Sequence, residues 1–284
     1  MGVFDDKVAV VTGAAVGLGN TFARALAAEG ASLAVCDVRD ENADLADELD
    51  SPVMAVHADV SDADDVKRFI DGAIDYYGQI DILVSNAGVW RASLPTDDMD
   101  KTIDDYDVVV GTNLKGVFLC GRAVIPHMIE RGSGEIINVN TDHLHTCGAP
   151  FEWDHGDAPD CPWQADGPRP TGGGPAMDLY DASKWGINGL TFGWSQALEP
   201  HNIRVNALCM GATDSYMLRS FHNFDPSPEE EASWMKAEDV ARVMLELIQD
   251  GRTGENIGFA VGHPVVLPAR RTNPYYIPGD PTRD

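Results

Sequence analysis

The segment "YDASKW" sets Tyr180 and Lys184 four residues apart. On a helix that spacing puts both side chains on one face, one turn from each other. A phenol with its ordinary pKa of about 10 keeps its proton at neutral pH. An ammonium beside it favours the phenolate and turns the phenol into a usable base. Oxidising a secondary alcohol needs such a base, because the hydroxyl proton must leave while hydride departs from the carbon. A second polar stretch, "IINVNTDHLHTCG" at 136–148, holds Asn140, Thr141, Asp142 and two His, and no Ser. Thr141 is its one hydroxyl that closes an apolar run, and a Thr hydroxyl both donates and accepts.

A third stretch, "TGAAVGLG", puts Gly13, Gly17 and Gly19 between an apolar run and a helical pattern. Glycines let the backbone approach a pyrophosphate, and the helix N-terminus offers free N–H groups and the positive end of a dipole. The second apolar run ends in Asp37, followed by Val38. A carboxylate at that place accepts hydrogen bonds from ribose hydroxyls and repels a 2′-phosphate, at about 1–4 kcal/mol for like charges near 4 Å. Neither Ala15 nor Val16 supplies a cation for such a phosphate. The expected coenzyme is therefore NAD and not NADP.

These residues need a scaffold, and the chain alternates in a way that builds one. "KVAVVTG", "SLAVCDV", "PVMAVHADV" and "IDILVSNAG" are apolar runs, separated by helical patterns such as "DADDVKRFIDGAIDYYG". Alternation at this pitch predicts an α/β fold, a doubly wound parallel sheet in a single domain over 1–284. A helix is expected over 103–131, then a strand at "GEIINVN". The pattern then stops: residues 142–179 contain six Pro, six Gly and seven acids, a composition that sustains neither helix nor strand. It resumes with a helix from Tyr180 to Leu198, a strand at "IRVNALC", an irregular lobe to 235, a helix at "AEDVARVMLELIQDG" and a strand at "NIGFAVG". Residues 263–284 read as an extended, Pro-rich tail.

Bulk properties exclude several functions. The formal charge of −26 over 284 residues repels nucleic acid and anionic membranes. No uninterrupted apolar run reaches 18 residues. The N-terminal stretch carries Asp5 and Asp6 ahead of its first apolar run, unlike a signal peptide. Five scattered cysteines point to a reducing cytoplasm and no disulfide framework, with a Cys147–Cys161 bridge as the one alternative close in sequence. Abundant Asp with only six Lys suits solubility at high salt, or a generic acidic cytosolic enzyme.

Taken together, the motifs resemble the short-chain dehydrogenase/reductase family. TGxxxGxG carries Gly13, Val16, Gly17, Leu18 and Gly19; "ADV" carries Asp59 and Val60, where the family contacts adenine. "SNAG" carries Asn86, Ala87 and Gly88, "TNLKG" carries Asn113, and "YDASK" is the family's YxxxK. The resemblance spans about residues 3–262 and implies a Rossmann-type fold. It implies Tyr180 as the base and Lys184 as holder of the nicotinamide ribose and, with the cationic nicotinamide, stabiliser of the phenolate. Lowering the phenol by three units would take about 4 kcal/mol. It further implies Asn113 as the site of a relaying water and Thr141 in place of the family's Ser, against the substrate oxygen, with Asn140, Asp142 or His143 as rivals. In "CMGATDS", Met210-Gly211 replaces the usual Pro-Gly, while Gly211, Thr213 and Ser215 match positions that hold the nicotinamide carboxamide and the pyrophosphate. The lobe at 213–235 resembles a mobile substrate flap, implying a hydrophobic or cyclic alcohol or ketone. A homotetramer or homodimer is also implied.

Thr141 and Tyr180 stand 39 residues apart, much farther than the family's usual dozen or so. The extra chain leaves and returns at the site, so 142–179 is expected to be a lid, with Phe151, Trp153 or Trp163 as substrate contacts. His143, His145, Cys147, His155 and Cys161 follow no zinc spacing, and no metal is expected. A sugar-nucleotide epimerase would more typically show TGxxGxxG and a larger C-terminal domain. An NAD-sensing protein without turnover is favoured only by the substitutions at 140, 141 and 210.

Overall fold

The computed structural model describes residues 2–144, 176–259, 261, 262 and 264–268. Residues 145–175 of the expected lid, with Phe151, Trp153, Trp163, His145, Cys147, His155 and Cys161, lie outside the described residues, as does most of the tail.

Seven parallel strands make one sheet: β1 (Val8–Thr12), β2 (Ser32–Asp37), β3 (Val53–His57), β4 (Ile82–Ser85), β5 (Gly134–Thr141), β6 (Ile203–Met210) and β7 (Asn256–Phe259). Their order is β3-β2-β1-β4-β5-β6-β7, every pair parallel. β1, β4 and β5 are buried along their whole length, as strands covered on both faces must be. Successive residues feed opposite layers: Ala9 and Val11 join one core with Phe22, Leu26, Val240 and Leu247, while Val10 joins another with Phe69, Ile70, Val124 and Met128. The first layer holds α1 (Gly17–Ala28) and α9 (Ala237–Asp250); the second holds α3 (Ala63–Tyr77) and α5 (Gly116–Arg131). α3 starts where Asp62 accepts from the Asp64 and Asp65 N–H groups, and stops at left-handed Gly78. A short α2 (Asp44–Glu48) follows β2. The sheet reverses order between β1 and β4, which opens a crevice at their C-terminal ends.

Three expectations need correction. The helix expected over 103–131 begins earlier, as α4 (Met99–Val110) capped by Asp98, and runs through a π-helical turn at Gly111–Lys115 into α5. By length and composition alone the segment Met99–Arg131 is apolar enough to cross a membrane; its residues Val109, Val117, Cys120, Val124 and Met128 are spent in the core of this sheet. The lobe to 235 is not irregular. Ser215 caps α7 (Tyr216–Phe221), and Ser227 with Glu230 forms a reciprocal capping box for α8 (Pro228–Ser233). Finally, the stretch 142–179 is structured at both ends: a 3-10 turn at Asp142–Leu144, and α6 (Asp178–Leu198), which starts two residues before Tyr180. Just ahead of α6, Met177 pairs with Ser93, whose hydroxyl donates to Asp178 at 2.6 Å.

Candidate active site

The loop after β1 turns on glycine. Gly13 and Gly17 hold φ of 66° and 60°, a region that side chains disfavour. A Cβ on Gly19 would lie 2.0 Å from the Gly13 carbonyl oxygen and 2.5 Å from Asn86 Nδ2. Asn86 explains the crowding: its Nδ2 donates to the Thr12 and Gly13 carbonyls at 2.9 and 3.0 Å, tying the loop after β4 to the loop after β1. α1 has no capping side chain at Val16 and no acid in its first turn. Its leading N–H groups are thus the unsatisfied donors that a pyrophosphate takes up. A glycine cradle that no side chain could enter, below an uncapped helix, fits a dinucleotide.

Asp37 stands at the end of β2. Its two oxygens accept from the Ala15 and Arg39 N–H groups, each at 3.0 Å, which leaves further lone pairs for a ligand. The sequence reading passed over Arg39, although it is only two residues away. Its guanidinium lies 4.4 Å from the centre of the Tyr216 ring and 4.0 Å from Glu41. Asp59 turns back to accept from the Ser61 N–H, and Val60 packs against Gly116 of α5.

The reacting end is built by β5, α6 and the π-helical turn. Lys184 is 4% exposed. Its Nζ donates to the Val139 carbonyl at 2.9 Å and sits 5.6 Å from the centre of the Tyr180 ring. Burial pushes the amine down to about 8, so it keeps its charge at neutral pH. In the chain by itself the Tyr180 phenol moves upward. Burial pushes it well above its ordinary value, and Asp181 and Asp142 add to the rise. The protein's own groups therefore hold the phenol protonated, and the lowering a base requires must come from further positive charge in the site.

Asn113 is fully buried, and its side chain is committed to the protein. Its Oδ1 accepts from the Val89 N–H at 2.8 Å, and its Nδ2 donates to the Val89 carbonyl at 2.9 Å and to Ser183 Oγ at 3.1 Å. Its side chain thereby fastens the loop after β4 to α6 from within the π-helical turn. Thr141 ends β5 with loose contacts: its hydroxyl donates to Asp142 Oδ1 at 3.4 Å and accepts from the His143 N–H at 3.4 Å. Bonds this long are readily exchanged for a ligand's. Asp142 in turn explains Gly211, where a Cβ would meet Asp142 Oδ2 at 2.6 Å. Thr213 donates to the Gly211 carbonyl at 3.0 Å, and Ser215 accepts from the Leu218 N–H as the α7 cap.

One cavity of about 990 Å³ joins these groups. It is lined by Gly13, Val16, Gly17, Leu18, Asp37, Val38, Asp59 and Val60 on one side, and by Thr141, Tyr180, Lys184, Gly211, Thr213 and Ser215 on the other, with Asn86, Ala87 and Gly88 between. Gly19 and Asn113 stand behind its wall. Trp90, Met177, Met217 and Phe221 also line it. Trp90 meets Phe221 edge to face at 4.6 Å, so α7 covers the reacting end. Trp90, directly after the "SNAGV" run, was missed in the sequence, although its place beside that motif was the signal. His143 and Asp181, 2.7 Å apart from Nδ1 to Oδ1, were missed as a pair because they stand 38 residues apart. Among the described residues no group of three or more His, Cys, Asp or Glu could hold a metal.

Comparison with known proteins agrees with this architecture. A family model described as short chain dehydrogenase matches residues 7–146 and 171–225, and so passes over much of the 142–179 insertion. The chain is 32% identical to the 3-oxoacyl-(acyl-carrier-protein) reductase of Thermotoga maritima over 273 residues, covering 91% of this chain and 98% of that one. It is 33% identical to the cis-4-hydroxycyclohexanecarboxylate dehydrogenase of Sinomonas cyclohexanicum over 215 residues, 75% of each. Among solved structures, levodione reductase superposes with a TM-score of 0.70 at 28% identity, over 90% of this chain and 96% of that one. A Burkholderia cenocepacia short-chain dehydrogenase in complex with NADP gives 0.69 at 25%, over 92% and 98%. With its glycine cradle, its Tyr180–Lys184 pair and a match across most of its length, the chain belongs to the short-chain dehydrogenase/reductase family.

Proposed function

We propose that this protein is an NAD-dependent oxidoreductase that interconverts a secondary alcohol and a ketone. The observation that carries the reading is the single cavity with Asp37 and the phosphate loop at one end and Tyr180, Lys184 and Thr141 at the other. The dinucleotide, when bound, supplies the hydride acceptor and a positive charge. Tyr180 takes the hydroxyl proton, Lys184 holds the ribose and favours the phenolate, and Thr141 hydrogen-bonds the substrate oxygen. Gly13 to Gly19 and Asn86 to Gly88 form the bed for the coenzyme, with Gly211, Thr213 and Ser215 at its nicotinamide end.

The substrate is small and hydrophobic or cyclic. Trp90, Met177, Met217 and Phe221 give the reacting end apolar walls, and one relative is named for a hydroxycyclohexanecarboxylate. The lobe at 213–235 serves as the flap over it. The buried free thiols of Cys36, Cys120 and Cys209 suit a cytoplasmic protein.

Self-association is part of the same reading. Met99, Ile103 and Tyr106 fall on one face of α4 and are exposed, as are Phe118 on α5 and Trp185 on α6. Sedimentation velocity is expected to give a mass two or four times that of one chain; a monomer at micromolar concentration would refute this.

The choice of NAD rests on Asp37 and is tested there. Wild-type protein is expected to bind NAD more tightly than NADP. Asp37→Ala removes the carboxylate but leaves Arg39, so its NADP affinity should rise by about tenfold or more, from the 1–4 kcal/mol of repulsion relieved. Fluorescence titration with both coenzymes measures this, and tighter NADP binding by the wild type would overturn the preference.

A further inference from the structure

Arg39 stands two residues after Asp37, at the ribose end of the proposed coenzyme bed, yet its side chain is turned away from that carboxylate. Its backbone N–H donates to Asp37 Oδ1 at 3.0 Å. Its guanidinium lies 4.0 Å from Glu41, and among the described residues it makes no ion pair with Asp37. It sits over the Tyr216 ring, 4.4 Å from its centre. A guanidinium keeps its charge across the working pH range and makes planar, bidentate bonds to phosphate. Beside a ribose 2′ position it would therefore welcome NADP, against the preference that Asp37 sets.

Tyr216 is a firm support for that cation. It is the first residue of α7, in the lobe at 213–235. Its ring packs on Phe224 with centres 4.9 Å apart. Its backbone nitrogen closes on Gly17, where a Cβ would come within 3.1 Å. Ser215 caps the helix by accepting from the Leu218 N–H at 3.2 Å. One turn on, Arg219 makes two bonds to Asp214, at 2.6 and 2.7 Å, and lies over Trp234. The lobe thus presents a fixed aromatic face to the loop after β2, and Arg39 and Tyr216 both line the cavity. When NADP is bound, the cation has two competing partners: the ring and the 2′-phosphate.

We propose that Tyr216 is a coenzyme-selectivity residue, whose ring holds the Arg39 guanidinium away from the ribose 2′ position and so adds to the exclusion of NADP that Asp37 provides. The proposal rests on the reading of Asp37 as the ribose partner. Pairing Arg39 with a 2′-phosphate means giving up its stack on Tyr216, and an exposed stack of this kind lowers NADP affinity by about two- to fivefold. NAD has no 2′-phosphate and makes no such demand. The effect therefore falls on the ratio of the two affinities. A tyrosine that only props the lobe, or that touches both coenzymes, would move both affinities together and leave the ratio alone.

The test is a double-mutant cycle at 39 and 216, read by calorimetric titration with NAD and NADP at low ionic strength, where exposed charges are least screened. Tyr216→Leu should raise NADP affinity relative to NAD by about two- to fivefold. In an Arg39→Ala background the same change should leave the ratio where Arg39→Ala alone puts it. Tyr216→Phe keeps the ring and should keep the wild-type ratio. Should Tyr216→Leu not fold, Tyr216→Gln also removes the ring and is read in the same way. A ratio that stays put or shifts toward NAD when the ring is lost overturns the proposal, and so does a rise of equal size in the Arg39→Ala background. Tighter binding of NADP than of NAD by the wild type would sink the NAD preference alone, because the cycle still reports what Tyr216 does to Arg39. Protein that binds neither coenzyme would sink both.

Discussion

Tyr180→Phe will lose alcohol oxidation, with kcat down at least about 100-fold and up to about 10,000-fold, while coenzyme affinity stays near that of the wild type. The ring is kept, and with it the contacts to His143 and Lys184; only the hydroxyl is lost. Because the protein's own surroundings push that phenol up, the site gains a base only when positive charge is added beside it. Lys184 supplies one such charge, on an ammonium that burial pushes down to about 8. Thr141→Ala should cost less, about 100- to 1,000-fold, as removal of one hydrogen bond to the reacting oxygen does. Steady-state kinetics together with coenzyme titration separates loss of chemistry from loss of binding. A Tyr180→Phe enzyme within tenfold of wild type would remove the phenol from the mechanism.

Gly19→Ala is expected to weaken coenzyme binding to a comparable degree. The added methyl would sit 2.0 Å from a backbone oxygen and 2.5 Å from the amide that ties two loops together. Backbone cannot swing aside as a flexible side chain can, so the phosphate loop must shift. Overpacking of this kind costs about 1–3 kcal/mol of stability, and coenzyme affinity should fall by about 100-fold as the N–H donors lose their aim. Gly72→Ala is the contrast. Gly72 lies within α3 with nothing near its missing Cβ, so Ala there should stabilise by about 0.5–1 kcal/mol through helix propensity alone. Calorimetric titration and thermal melting measure both variants. Unchanged coenzyme affinity in Gly19→Ala would show that the loop is no phosphate bed.

How much of this was written in the chain depends on the range of each interaction. Strands such as "KVAVVTG" and helices such as "DADDVKRFIDGAIDYYG" announce themselves because period and caps are local, and the parallel order follows from their alternation. The phosphate loop, Asp37, Tyr180 and Lys184 were legible for the same reason: each function needs residues at a fixed short spacing. The lobe at 213–235 was under-read although Ser227 and Glu230 carry a capping signal, since the helices they start are only six residues long. Contacts between distant segments were not legible. No pattern in "TNLKG" says that the Asn113 amide is spent on Val89 and Ser183. Nor does the sequence say that His143 reaches Asp181 across the insertion. Nor does the sequence say that burial, with Asp142 from the far side of the insertion, acts on the Tyr180 phenol.

In the proposed reaction hydride leaves a carbinol carbon for a nicotinamide as Tyr180 takes the proton. The most direct measurement supplies NAD and a panel of small cyclic and acyclic secondary alcohols carrying deuterium on the carbinol carbon, and follows the label. Deuterium recovered on the nicotinamide ring with wild-type protein, and none with Tyr180→Phe, is the predicted result. Coenzyme that binds yet acquires no label from any alcohol in the panel would contradict the account and leave a nucleotide-binding protein without this chemistry.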